Sequence, residues 1–199
     1  MRVGLLGGSF DPPHAGHLRL AELAWQGLGL DELRFLPAAR APHKQGPGSS
    51  PRVRERLLRI ALRGRPWSIE TLEIERGGTS FTVDTLEALA RREPGHAWIL
   101  VLGSDQAAGL PGWHRPERIW DLASVAASLR PGQASALPAE VLARLRPDWS
   151  GAPGELVQLP STGLELSSTE LRRRLACGES PSGLAPEVLA AIQAEALYR

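Results

Sequence analysis

The stretch from Val3 to His17, VGLLGGSFDPPHAGH, limits the fold of this chain more than any other part of the sequence. Val3-Gly4-Leu5-Leu6 is a short apolar run that stops at the pair Gly7-Gly8, the pattern of a buried parallel strand entering a tight turn. Pro12-Pro13 closes the turn, and from Gly16 the positions Leu18, Leu20, Ala21 and Leu23 take helical spacing. A strand, a glycine turn and a helix in that order aim the helix N-terminus back at the turn. Unpaired N–H groups and the helix dipole converge there, so an anion is the natural guest.

The residue types agree with phosphate. Gly7 and Gly8 let the backbone come close to a ligand, and Ser9 adds a hydroxyl beside the exposed N–H groups. His14 and His17, three apart at the helix entrance, both face the loop mouth, where imidazole N–H groups can hold phosphate oxygens as charge builds. Other readings exist for the same residues. A glycine pair also makes a plain turn, and the HxxH spacing is half of a zinc site whose nearest further ligand is His43. We expect no protein-held metal. No Gly-Lys-Ser/Thr follows the glycines, so this is not a Walker A loop.

Further along, strands and helices alternate. The first helix runs to about Leu28, and Glu32 to Leu36 reads as a second strand. The aperiodic loop Ala38 to Ser50 carries Arg40, His43 and Lys44 at a strand's carboxyl end, either to reach a polyphosphate or as a solvated basic loop. Ser50-Pro51 opens a packing helix that ends near Gly64, Trp67 to Ile74 alternates as a strand, and Ser80 or Thr82 caps the next helix. Thr82 can contact a ligand or serve as a cap. Ala97 to Leu102, AWILVL, is the clearest buried strand and ends in Gly103-Ser104-Asp105, where an acid holds a ribose or caps a helix. Trp113 follows on an irregular segment, suited to stacking on a heterocycle or to filling the core.

Pro116 to Leu122 and Pro138 to Leu145 read as helices, and Ser124 to Leu129 and Glu155 to Leu159 as strands. The expected fold is α/β, a doubly wound, Rossmann-like, mainly parallel sheet with helices on both faces. Residues 1–199 read as a single domain, with 161–199 a helical portion. That portion holds a second chemical stretch, Ser167-Ser168-Thr169-Glu170-Leu171-Arg172. SxxE is a capping box, which accounts for Ser167 and Glu170. Ser168, Thr169 and Arg172 fall on one face at the helix entrance, a strong polyphosphate grip, unless the segment is only a basic surface helix. Pro186 to Leu197 is a last packing helix.

Composition narrows the class. A formal net charge of +1 gives no support for bulk nucleic-acid binding, which favours a small-molecule partner. Cys177 is the single cysteine, so no internal disulfide forms, and we expect a buried or incidental thiol. No signal-like or membrane-length apolar run is present, which makes the cytoplasm the expected location, with no membrane contact. The oligomeric state stays open, a homo-oligomer included.

The two stretches GGSFDPPHAGH and SSTELR together resemble the paired signature of nucleotidyltransferases with an HxGH motif, and within them the bacterial nicotinate-nucleotide adenylyltransferase family. Ala41-Pro42-His43-Lys44, Ser80 to Leu86, Gly103-Ser104-Asp105, Leu110 to Trp113 and Arg130-Pro131-Gly132 have counterparts in order. The resemblance implies that Gly7, Gly8, Ser9, Phe10, His14 and His17 hold ATP, with Gly103 and Asp105 along the adenosine. It implies that Ser168, Thr169 and Arg172 hold the β- and γ-phosphates, with His14, His17 and Arg172 catalytic. It puts His43, Lys44, Thr82, Trp113 and Arg130 on the nicotinate mononucleotide side, Trp113 against the pyridine, and brings Mg²⁺ in with ATP. His114 stands where tyrosine is frequent, and Ala107-Ala108 where bulkier residues are common, both departures from the pattern. The implied reaction is AMP transfer from ATP to nicotinate mononucleotide. A nicotinamide-mononucleotide or dual-specificity enzyme, pantetheine-phosphate adenylyltransferase and a silent nucleotide-binding regulator are the alternatives.

Overall fold

A computed structural model describes residues 1–40, 48–129 and 137–199. Within them, β1 (Arg2–Gly8) leads through the glycine turn to α1 (Ala15–Gly27), and β2 (Glu32–Pro37) is followed by α2 (Pro51–Ala61). β3 (Ser68–Ile69), α3 (Leu72–Arg76), α4 (Thr82–Arg92) and β4 (Ala97–Gly103) come next. After β4 come α5 (Ser104–Gly109), a 3₁₀ turn (Leu110–Gly112), α6 (Pro116–Leu122) and β5 (Ala123–Ser128). α7 (Ala139–Leu142), β6 (Leu156–Leu159), α8 (Ser168–Ala176) and α9 (Pro186–Ala194) complete the order.

The six strands form one parallel sheet in the order β3-β2-β1-β4-β5-β6, as the sequence led us to expect. The order reverses between β1 and β4. In such sheets the crevice beyond the carboxyl ends of those two strands is the binding position.

Strand pleating divides the core. Val3, Leu5, Trp98, Leu100 and Leu102 pack on one face with Leu86 and Leu89 of α4 and Ile119 of α6. Leu6, Ile99 and Val101 pack on the other with Leu20, Ala21 and Ala24 of α1 and Phe35 of β2. Alternation along fully buried strands is what allows near-continuous apolar runs such as AWILVL. A third cluster, Leu57, Leu175, Val188 and Ile192, holds α8 and α9 against α2. That packing brings the SSTELR helix to the first loop. Among the described residues no helix is long and apolar enough to cross a membrane.

Several local expectations need correction. Trp67 to Ile74 is not one strand: only Ser68–Ile69 pairs with β2, and Leu72–Arg76 is helical. The apolar positions are 67 and 69, then 72 and 74, so their parity changes at Thr71 and one strand would bury opposite faces. The Glu70 carboxylate accepts the Leu72 N–H at 3.2 Å, which turns the chain there. Neither Ser80 nor Thr82 caps α4. Phe81 is the N-cap residue, and Ser80 Oγ instead accepts the Ala39 N–H at 3.0 Å. The helices expected over 138–145 and 186–197 are shorter, Ala139–Leu142 and Pro186–Ala194. Of the two readings of Cys177, burial does not hold, since the thiol is exposed.

Candidate active site

A cavity of about 800 Å³ opens at the switch point of the sheet. Gly7, Gly8, Ser9, Phe10, His14 and His17 line it from the β1–α1 unit, and Gly103 and Asp105 from the end of β4. Thr82 and Trp113 line it on the α4 side, and Ser168 and Thr169 at the start of α8. Arg172 is set apart from these. It lines an adjoining cavity that Thr169 shares, together with Ser49, Arg173 and Tyr198. His43, Lys44 and Arg130 lie outside the described residues.

The first loop is shaped by local contacts. His14 is the N-cap residue of α1 and is buried, and its ring stacks on His17 with centroids 3.7 Å apart. The His14 backbone N–H donates to Nδ1 of His17 at 3.2 Å. A ring nitrogen that accepts a hydrogen bond carries no proton, so the neutral His17 ring is protonated on Nε2. Gly16 leaves room for this stack, because a Cβ there would lie 3.1 Å from Nδ1 and Cε1 of His14. Phe10, with φ of 50°, turns its ring into the core against Phe35 and meets His17 edge-on at 5.0 Å. Phe10 therefore shapes the loop from beneath as well as lining the cavity.

Arg54 holds the loop from behind. The residue is 5 % exposed, and its guanidinium donates to four carbonyls: Ser9 at 2.7 Å, Ala38 at 2.6 Å, Ala39 at 3.0 Å and Ser49 at 3.2 Å. Burial pushes its pKa below the ordinary value, against the attraction of Asp11. The sequence carried a signal that we did not use, since Arg54 stands on the face of α2 occupied by Leu57 and Leu58.

α8 docks on the same loop. Ser167 accepts the Glu170 N–H at 3.1 Å, the first half of the expected capping box, while the Glu170 carboxylate goes to Arg173. Ser168 Oγ donates to the Pro12 carbonyl at 3.1 Å, and Arg172 donates to the Asp11 carbonyl at 2.8 Å and to Thr169 Oγ1 at 3.3 Å. The α1 and α8 N-termini thus meet across the loop, two positive dipole ends beside hydroxyls and a guanidinium.

At the opposite end, Trp113 is half-buried. It packs against the core, as one of the two sequence readings had it, and it also lines the cavity. The exposed His114 ring lies 4.6 Å from Phe81. Glu73, which the sequence reading missed, is buried beneath the cavity, accepts the Thr85 hydroxyl at 2.8 Å, and is pushed up by burial from its ordinary value.

The profile of the cytidylyltransferase-like family matches residues 5–174. A protein of Exiguobacterium sibiricum named "probable nicotinate-nucleotide adenylyltransferase" is 40% identical over 188 residues, covering 94% of this chain and 93% of that one. One of the same name from Bordetella pertussis is 40% identical over 201 residues, covering 100% and 98%. Among solved structures, the Plasmodium falciparum nicotinic acid mononucleotide adenylyltransferase complexed with NaAD has a TM-score of 0.77 at 17% identity. It covers 99% of this chain and 97% of that one, a likeness of fold.

Proposed function

The chain belongs to the cytidylyltransferase-like family and, within it, to the nicotinate-nucleotide adenylyltransferases, and from that premise we propose how its cavity works. The protein transfers AMP from ATP to nicotinate mononucleotide, giving nicotinate adenine dinucleotide and pyrophosphate. We read residues 1–199 as one catalytic domain, with α8 and α9 completing the phosphate end.

The observation that carries this reading is the convergence of two helix N-termini and one indole in a single cavity. Its volume of about 800 Å³ suits substrates of this size. ATP takes the β1–β4 side, with its phosphates between the glycine turn and the start of α8. The pyridine ring takes the Trp113 side. Thr82 stands in the first turn of α4, where N–H groups and the helix dipole favour a carboxylate over an amide.

The reaction needs no general base. A phosphate monoester has its second pKa near about 6, so the mononucleotide phosphate is already largely dianionic at neutral pH. One of its oxygens forms a bond to the α-phosphorus of ATP, and the bond from that phosphorus to the bridging oxygen breaks in line. The electron pair leaves with pyrophosphate. His17 Nε2–H, the α1 and α8 N–H groups and Arg172 are the donors we assign to the charge that develops.

No trio of His, Cys, Asp or Glu suited to a metal occurs among the described residues. Asp105 and Glu73 are the carboxylates that line the cavity. That donor set fits a Mg²⁺ ion carried by the nucleotide's own phosphates, whose charge it would neutralise while keeping most of its waters. The exposed Cys177 thiol suits a reducing cytoplasm.

The test is product formation. Purified protein given Mg-ATP and nicotinate mononucleotide should yield pyrophosphate and dinucleotide in equal amounts. ATP binding without either product would make the protein a nucleotide-binding regulator instead.

A further inference from the structure

Asp11 is a buried carboxylate in the first loop, and the chemistry above makes no use of it. Oδ1 accepts the Tyr198 hydroxyl at 2.6 Å and the Ser49 N–H at 3.1 Å. Oδ2 stands 3.8 Å from the nearest Arg172 nitrogen, too far for a hydrogen bond. Arg172 instead donates to the main-chain oxygen of the same residue at 2.8 Å. The backbone at Gly48 lies so close that a Cβ there would fall 1.4 Å from Oδ2.

A buried carboxylate must be satisfied, and Arg172 is a cation at its edge. Arg54 is also near, but its donors go to four carbonyls. The bonds to Oδ1 therefore decide how strongly Asp11 draws on Arg172. With Tyr198 in place, Arg172 is anchored by main-chain and Thr169 oxygens, and the rest of its guanidinium fork can take phosphate. Without that hydroxyl, the attraction shortens the 3.8 Å ion pair into a hydrogen-bonded one that competes with the nucleotide.

We propose that Tyr198 is a positioning residue: its hydroxyl, by satisfying Asp11, keeps Arg172 turned toward the phosphates of ATP. The inference rests on the ATP reading of the site. Burial and the bond to Asp11 both raise the Tyr198 pKa, so the hydroxyl stays a donor at neutral pH. The residue sits beyond α9, where nothing in the sequence pattern marks it for the site.

The experiment is calorimetric binding of Mg-ATP, which needs no turnover, with thermal midpoints taken to show that each variant folds. Tyr198→Phe should weaken ATP about tenfold, the worth of one hydrogen bond to a charged group. On an Arg172→Ala background the same change should add nothing. Asp11→Asn, which keeps the main-chain oxygen that Arg172 uses, should bind ATP like the wild type and should restore most of the affinity lost in Tyr198→Phe. Glu195→Gln breaks the nearby ion pair to Arg56 without touching Asp11, and should leave affinity unchanged. Additive losses from Tyr198→Phe and Arg172→Ala, no rescue by Asp11→Asn, or an equal loss in Glu195→Gln would overturn the proposal. Wild-type protein that binds ATP but releases no pyrophosphate would overturn the proposed reaction and leave this test readable.

Discussion

The stacked rings of His14 and His17 are joined by a second link, the His14 backbone N–H donating to Nδ1 of His17 at 3.2 Å. One imidazole therefore caps the helix with one nitrogen and keeps its proton on the other. On the proposed mechanism, removing the ring deletes a donor to the charge that develops. His17→Ala should lower kcat by about 100-fold or more while changing the ATP Kd far less, the behaviour of a donor acting in the transition state. Steady-state kinetics beside calorimetry checks this, and an equal loss in ATP binding would count against the role.

The four carbonyls held by Arg54 belong to three separate segments, around Ser9, Ala38 and Ser49. Arg54→Met keeps much of the side-chain volume and leaves those acceptors without their donor. Stability should fall by about 3 kcal/mol, as for other buried polar groups left unsatisfied. ATP affinity should fall as well, because the Ser9 loop loses its support. Chemical denaturation and ATP titration read the two effects, and a loss below about 1 kcal/mol would mean that solvent replaces the guanidinium.

Much of this site was legible in the sequence, because a strand ending in glycines and a helix opening with SxxE are signals written in neighbouring residues. The parallel sheet and the meeting of His14, His17, Ser168 and Thr169 follow from such signals together with topology. Arg54, Asp11 and Tyr198 were not legible in the same way. Their work depends on contacts that reach 45 residues along the chain from Arg54 and 187 from Asp11 to Tyr198, which no local period encodes. Trp67 to Ile74 misled for the opposite reason: a short alternating pattern resembles a strand unless the parity change at Thr71 is counted.

Trp113 lines the α4 side of the cavity, where we propose the pyridine ring sits, and packs on the core only in part. Trp113→Ala should raise the KM for nicotinate mononucleotide about tenfold, the worth of one aromatic stacking partner. The ATP Kd should stay near the wild-type value. A matching loss of ATP affinity would show that the indole supports the whole cavity and not one substrate.

Behind the sheet, Glu93 accepts hydrogen bonds from Arg34 and Arg92, and the Arg34 guanidinium above all holds its pKa down at about 2, from an ordinary 4.5. Between those values the unfolded chain binds the proton that the folded chain refuses, so stability rises with pH through that window. The contribution is complete above about 4.5 and is lost as the pH falls toward 2. Glu93→Gln should lower the thermal midpoint at neutral pH and flatten its acid dependence between those limits. Melting curves taken down the acid limb check both, and an unchanged slope would shift the cause to other carboxylates.

The central claim is that this cavity joins ATP to a mononucleotide bearing a carboxylate. The most direct measurement is kcat/KM for pyrophosphate release with Mg-ATP and, side by side, nicotinate mononucleotide, nicotinamide mononucleotide and phosphopantetheine. Our account predicts strong preference for nicotinate mononucleotide, with the α4 end of the cavity around Thr82 selecting the acid. Equal rates with the amide, or release with none of the three, would contradict it.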